Sequence, residues 1–367
     1  MTILINDLAR HSAGVGGEIR RAVENVVASG WYVLGKQLSM FEEVFAEYCG
    51  VEHCVGVANG TDALELSFRG LGIGPGTRVA TVANAGFYTT TALNAVGAAA
   101  VFVDVDSVNH LMNLELLGAL ASDHRIDAIV VTHLFGLMHD TEAIRVIADT
   151  AGIPMIEDCA QAHGARRNGR HAGSSGDAAC FSFYPTKNLG AIGDAGAILT
   201  NDTDLALRLV SLRQYGWEKK YRIGSAGGRN SRLDEIQAAV LRAKLPHLDG
   251  WNSRRREIGT RYSQGIRHDR INCPGIGGEE YVAHLYVITC DDREGLRGHL
   301  NAVGISSDVH YPVPDHLQPL MKDIRPQSRL PVTEDLAGRV LTLPCFPELT
   351  DAEVDEVIRQ VNAWRPE

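Results

Sequence analysis

Short apolar, β-branched runs alternate with helical patterns through residues 53–200, and this alternation limits the fold more than any other feature of the chain. The runs fall at 54–58, 79–82, 100–105, 128–132, 154–157, 178–183 and 197–200, and helical periodicity fills most gaps, as at 62–70, 88–96 and 141–151. Strands that alternate with helices predict an α/β fold with a mostly parallel sheet covered on both faces by helices. Residues 19–28 and 38–48 predict two helices before the sheet. After Leu212 the texture changes. A Gly-rich, charged loop at 214–230 leads into an amphipathic helix starting near Arg232, with Leu233, Ile236, Ala239 and Val240 on its apolar stripe. Pro246 and Gly250 should break or bend that helix before 251–265 continues. A strand at 284–289, a helix at 293–303, an extended Pro/His segment at 305–319, a strand at 340–343 and a helix at 351–364 follow. That is the pattern of a smaller C-terminal α+β domain, so the chain divides into 1–245 and 246–367.

The 367 residues are 45% hydrophobic and 22% charged, ordinary globular usage that excludes disordered and collagen-like chains. With 35 Lys and Arg against 45 Asp and Glu, the net charge of −10 argues against a nucleic-acid partner. A single phosphorylated small molecule remains compatible, because a helix end can hold one phosphate. The seven cysteines are scattered, with no C-x-x-C pair, which fits a reducing compartment. The first residues lack a signal-peptide pattern, and the most apolar stretch, 95–105, is too short to cross a bilayer. The expectation is a cytoplasmic protein without a membrane partner.

Several motifs have plain structural readings. Gly30 through Gly35, Lys36 and Gln37 nearly spells a P-loop, but Gln37 stands where Ser or Thr must bind magnesium and the stretch follows a helix, so it reads as a helix-to-helix turn. Gly72, Gly74 and Gly76 follow a helix, the reverse of a dinucleotide fingerprint, and read as a helix end and turn. Arg254, Arg255 and Arg256 read as a solvated helix face. His53 and His163 have no metal-like spacing and read as structural; no metal site is expected.

Three segments carry chemistry when taken together. Asn59-Gly60-Thr61-Asp62 ends one strand and opens a helix, where glycine permits close approach and free amides attract an anion; a plain cap by Thr61 or Asp62 is the alternative. Glu157 and Asp158 end another apolar strand, at the edge where open α/β sheets bind ligands. Lys187 lies just past the 178–183 strand and before the glycine-rich turn 190–196. A phosphate cradle, a strand-end carboxylate and a post-strand lysine are the parts that pyridoxal 5'-phosphate needs: a Schiff-base lysine, an acid for the pyridine nitrogen, and a helix end for the phosphate.

Four stretches, Gly60-Thr61-Asp62-Ala63-Leu64, Glu157-Asp158 through Gln161 to Gly164, Ser182 to Lys187, and Asn230 to Ala239, resemble the signatures of the DegT/StrS sugar aminotransferases. The resemblance runs from Gly30 to Pro347. It implies a fold-type I pyridoxal phosphate enzyme acting on nucleotide-linked keto-sugars. Position by position, Lys187 resembles the lysine that binds the cofactor, Asp158 the pyridinium partner, and Gln161 the residue beside the phenolic oxygen. Ser182, Gly60 and Thr61 resemble the phosphate ligands. Asn230 resembles an asparagine reaching the neighbouring subunit's phosphate, which implies a homodimer with shared active sites. His310, Tyr311 and His316 resemble the stretch lining the sugar-nucleotide cleft. Two departures stand out: 83–89 reads Ala-Asn-Ala-Gly-Phe-Tyr-Thr, where Tyr88 is the favoured stacking ring, and the usual glycine pair after the lysine appears as Asp194-Ala195-Gly196.

The resemblance implies transfer of an amino group from an amino acid, glutamate by analogy, to a keto-sugar in amino-sugar and antibiotic biosynthesis. Residues 214–230 look most like relatives that aminate dTDP-linked 3-keto-6-deoxyhexoses. The rival readings are a 4-keto-sugar or cyclitol (inosose) aminotransferase, a non-catalytic cofactor-binding regulator, and a Rossmann oxidoreductase, the last disfavoured by the missing fingerprint.

Overall fold

Each of the apolar runs becomes a strand of one seven-stranded sheet in the computed structural model, which describes residues 2–275, 277–321 and 329–365. The strands are β1 (His53–Val57), β2 (Arg78–Thr81), β3 (Ala99–Phe102), β4 (Ala128–Thr132), β5 (Met155–Asp158), β8 (Ala178–Ser182) and β9 (Gly196–Thr200), with a two-residue hairpin, β6 (Arg166–Arg167) and β7 (Arg170–His171), between the fifth and sixth. Their spatial order is β1-β9-β8-β5-β4-β2-β3. The four pairs from β3 to β8 are parallel, while β9 runs antiparallel to both β8 and β1. The double reversal leaves β1 pointing the same way as β8, so the carboxyl ends of β1, β2, β4, β5 and β8 share one edge.

Helices α1 (Leu8–Ser29) and α2 (Lys36–Cys49) precede the sheet, and α3 (Gly60–Gly70), α4 (Tyr88–Val96), α5 (Leu114–Ser122), α6 (Thr141–Ala151) and α7 (Thr203–Leu212) intervene between or follow its strands. The first helix is longer than its periodicity predicts because Asp7 caps it, accepting from the amides of Ala9 and Arg10 at 3.0 and 3.1 Å. Gly30 ends α1 in the left-handed conformation and Gly35 precedes α2, so the near-P-loop is a helix-to-helix turn. One face of β1 and β8 packs on α3, α4 and α7 through Val55, Val57 and Cys180; the other packs through Phe181 on Phe45 of α2. Burying each such side chain contributes about 1.5–3 kcal/mol.

A hairpin, β10 (Trp217–Lys219) and β11 (Arg222–Ile223), leads to α8 (Glu235–Lys244), which starts three residues later than its pattern predicts. The bend expected at Pro246 and Gly250 occurs only at the first: Leu245–His247 forms a 3-10 turn, and α9 (Leu248–Gly265) runs through Gly250. A three-stranded antiparallel sheet, β12 (Ile271–Asn272), β13 (Tyr286–Cys290) and β14 (Val340–Leu343), packs with α9, α10 (Arg293–Ala302), α11 (Pro331–Arg339) and α12 (Asp351–Ala363). The arginine triplet is not a uniformly solvated face: Arg255 is buried and donates to the carbonyls of Ala283 and Cys345. No helix among the described residues is long and apolar enough to cross a membrane.

Candidate active site

The shared strand edge opens onto a cavity of about 760 Å³ whose lining includes Gly60, Thr61, Tyr88, Asp158, Gln161, Ser182, Lys187, His310 and Tyr311. The sheet register sets its floor. Asp158 stands beside Thr132 and Cys180 on the neighbouring strands, and Ser182 faces Gly196, which in turn pairs with Val57. Residues that are remote in sequence therefore meet at one edge.

Lys187 follows β8 in a tight turn. Its amide donates to the Tyr184 carbonyl at 2.8 Å, and the Ala191 amide closes the turn on Phe183 at 2.8 Å. Gly190 permits the turn, since a Cβ there would lie 2.4 Å from the Pro185 carbonyl oxygen. The buried Lys244 ammonium donates to the Gly190 carbonyl from below. Burial lowers the Lys187 amine to about 8, against an opposing pull from the Asp158 charge.

Asp158 ends β5 on the same side as Ile156, toward α4. Its carboxylate accepts from the Ala160 amide at 3.1 Å and from the Thr89 hydroxyl at 3.5 Å. Burial raises its pKa, and the Ala160 bond with the charge of Lys187 works the other way. Glu157 alternates to the opposite side, where it is fully buried and accepts from the amides of Gly173, Ser175 and Gly176, with His133 at 2.9 Å. Although Cys159 lies close to that pair, His133 and Glu157 are already committed to hydrogen bonds.

The N-terminus of α3 forms the cavity's third wall. Its cap is Asn59, not Thr61 or Asp62: the Asn59 side chain accepts from the Asp62 amide at 2.8 Å. The first-turn amides of Gly60 and Thr61 have no intrahelical acceptor. Gly60 is required by close approach, since a Cβ there would lie 2.6 Å from Ser182 Cβ; at Gly196 it would lie 2.4 Å from Asn59. The departure at Asp194-Ala195-Gly196 therefore keeps the one glycine that the geometry needs. Free amides and the Thr61 and Ser182 hydroxyls suit a phosphate. Lys187 and the buried Asp158 suit the aldehyde and ring nitrogen of pyridoxal 5'-phosphate.

Tyr88 and Tyr311 meet over this floor edge to face, with ring centroids 6.2 Å apart. The Gln161 amide donates to the Tyr311 hydroxyl at 3.1 Å, while its carbonyl accepts from the Phe135 amide at 2.6 Å. His310 is held by Thr342 at 2.8 Å. Two sequence-predicted residues do not join this group. His316 is buried outside the cavity, 3.1 Å from Glu334. Asn230 is exposed and bridges Gln214, while its neighbour Arg229 pairs with Asp62 and Glu65 on α3. The cavity also takes residues that no motif marks, among them Asn6 from the N-terminal segment and His284 before β13. Only His284 has a local signal, sitting at the start of an apolar run; its Nδ1 is held 3.0 Å from Asn188, the residue after Lys187.

A fold with this sheet order and a lysine, a buried acid and a helix N-terminus at one strand edge is that of fold-type I pyridoxal phosphate transferases. The family described as the DegT/DnrJ/EryC1/StrS aminotransferases matches residues 15–362, and the chain belongs to it: it is a pyridoxal phosphate-dependent aminotransferase. Among its relatives, the dTDP-3-amino-3,4,6-trideoxy-alpha-D-glucose transaminase of Streptomyces venezuelae is 43% identical over 95% of this chain and 92% of that one. The dTDP-3-amino-3,6-dideoxy-alpha-D-galactopyranose transaminase of Aneurinibacillus thermoaerophilus is 44% identical over 95% of each chain. The crystal structure of S. venezuelae DesV in complex with a ketimine intermediate superposes with a TM-score of 0.94 at 41% identity, covering 100% of this chain and 99% of that one.

Proposed function

We propose that this aminotransferase moves an amino group from L-glutamate to a dTDP-linked 3-keto-6-deoxyhexose. The observation that carries the reading is one cavity in which Lys187, the buried Asp158 and the free amides at Gly60 converge. The dTDP-linked 3-amino sugars in the names of relatives identical at 43% and 44% support the sugar, since a 3-amino sugar is what amination of a 3-keto sugar yields. When bound, pyridoxal phosphate supplies the electron sink that acidifies the donor's α-proton. Asp158 would hold the ring nitrogen protonated, Gly60, Thr61 and Ser182 would bind the phosphate, Tyr88 would cover the ring, and Gln161 would serve the phenolic oxygen. Lys187, which lines the cavity, would move the proton between the donor Cα and the cofactor's C4′. His310 and Tyr311 line the sugar's approach, and His316 supports that segment from behind through Glu334.

The active form in this reading is a cytoplasmic homodimer in which Asn230 completes the partner's phosphate site. Asn230 is exposed and does not line its own cavity. Trp31, Tyr221 and Ile223 are large apolar side chains left 63%, 80% and 67% exposed, and exposed apolar surface of this kind suits association. Residues 1–245 form the cofactor-binding part and 246–367 the smaller part that closes over the sugar.

The test is spectroscopic. Protein loaded with pyridoxal phosphate should show a visible band that L-glutamate bleaches and a dTDP-3-keto-6-deoxyhexose restores. Restoration by the 4-keto isomer or an inosose, but not by the 3-keto sugar, would reassign the substrate. A band that glutamate leaves untouched would favour the regulator.

A further inference from the structure

Helix α4 carries two groups that face the site, the Tyr88 ring and the Thr89 hydroxyl, yet it lacks a cap of its own. Phe87 occupies the N-cap position at φ 70° and contributes no side-chain hydrogen bond. A left-handed conformation in a bulky residue costs on the order of 1–3 kcal/mol and persists only where its surroundings impose it. Here they come from 228 residues away. Asp315, 1% exposed, accepts from the Phe87 amide at 2.9 Å with one carboxylate oxygen and from the Thr90 hydroxyl at 2.6 Å with the other. Its own amide donates to the Ala83 carbonyl at 2.7 Å, so both sides of Asp315 are fastened to the loop between β2 and α4. Four residues earlier in the same segment, Tyr311 meets Tyr88 and takes a hydrogen bond from Gln161. Gly86 leaves room for that meeting, since a Cβ there would lie 2.9 Å from Tyr311 and 3.0 Å from Tyr88.

We propose that Asp315 is a positioning residue for the cofactor site: it braces the uncapped start of α4 through the Phe87 amide and the Thr90 hydroxyl and so holds Tyr88 and Thr89 in place against Tyr311 and Asp158. Two hydrogen bonds to one carboxylate fix the helix's first turn in both translation and rotation, where a single bond would leave it free to swivel. The assignment rests on the reading of Tyr88 as the ring that covers the cofactor.

A double-mutant cycle on the full-length protein, stripped of cofactor and titrated with pyridoxal phosphate, separates positioning from mere stability. Asp315→Leu should raise the pyridoxal phosphate Kd about tenfold, a coupling within the range of packed neighbours. Asp315→Asn, which keeps an acceptor for the Phe87 amide, should recover most of that loss. In a Tyr88→Ala background the Asp315→Leu effect should shrink to about twofold, because only the Thr89 contact then remains for Asp315 to hold. Thr90→Val, which removes only one bond, should show the same dependence on Tyr88 at smaller size, and it serves if Asp315→Leu fails to fold. An Asp315 or Thr90 effect that is equally large with and without the Tyr88 ring would overturn the inference while leaving the function intact. A Tyr88→Ala protein that binds pyridoxal phosphate like the parent would instead overturn the stacking role itself.

Discussion

The floor of the cavity and the exposed surface outside it are built by different means. Asp158 and Ser182 end hydrogen-bonded strands, Gly60 opens a capped helix and Lys187 sits in the turn after β8, so the hydrogen bonds of one chain dictate where they sit. The outer surface, outside the cavity lining, includes Trp31, Tyr32, Tyr215, Tyr221, Ile223 and Asn230, all exposed and none held by a strand of the main sheet. Changes to the floor should alter chemistry with little effect on association. Changes to the outer surface should do the reverse.

The sharpest way to break that contrast is Lys187→Ala. A half-buried side chain in a turn held by backbone bonds adds little to the core, so melting should stay near the parent's while transamination falls by at least the roughly 10²–10⁴-fold typical of a lost proton-transfer group. Near-parental turnover by the folded variant would falsify the site. Asp158→Asn should retain cofactor but lose most of its rate, because an amide cannot hold a ring nitrogen protonated. If single-turnover rates with glutamate match the parent's, another acid does the work, although Glu157 is turned away and saturated.

Gly60→Ala probes the cradle. Its Cβ would press on Ser182, and overpacking of that kind costs about 1–3 kcal/mol, or roughly a tenfold to hundredfold weaker cofactor affinity if the strain falls on the phosphate site. Unchanged affinity by titration would mean that the phosphate sits elsewhere.

A smaller effect concerns pH. In cofactor-free protein the Lys187 amine, lowered to about 8 by burial, is an ammonium below that pH and a free amine above it. The rate of its reaction with pyridoxal phosphate should therefore rise through a midpoint near 8, some two units before an ordinary lysine. A profile still climbing at pH 10 would place the amine in water.

The smallest effect on folding belongs to the outer surface. Tyr221→Ser removes a ring that is 80% exposed and should leave stability within about 0.5 kcal/mol while weakening self-association in sedimentation. Unaltered association would move the interface away from the hairpin.

The sequence by itself determined the alternating elements and most of the floor. Strand periods, the Asn59 to Asp62 turn and the lysine past β8 are local signals, set by side-chain alternation and backbone freedom within a few residues, and they survive reading without a structure. It misjudged what packing decides. Arg255 reads as solvated because its neighbours are charged, yet three carbonyls from distant segments surround it. Asn59 rather than Thr61 or Asp62 caps α3, a choice made by where the strand releases the chain. His316 and Tyr311 belong to one motif, but the fold sends one toward Glu334 and the other into the cavity. Asp315 carries no local mark of any role; its partners lie 225 and 228 residues earlier, and only the folded chain brings a carboxylate to a helix that lacks a cap. Local chemistry is written in order along a chain, whereas burial and hydrogen-bond partnership depend on which segments the sheet and helices bring together.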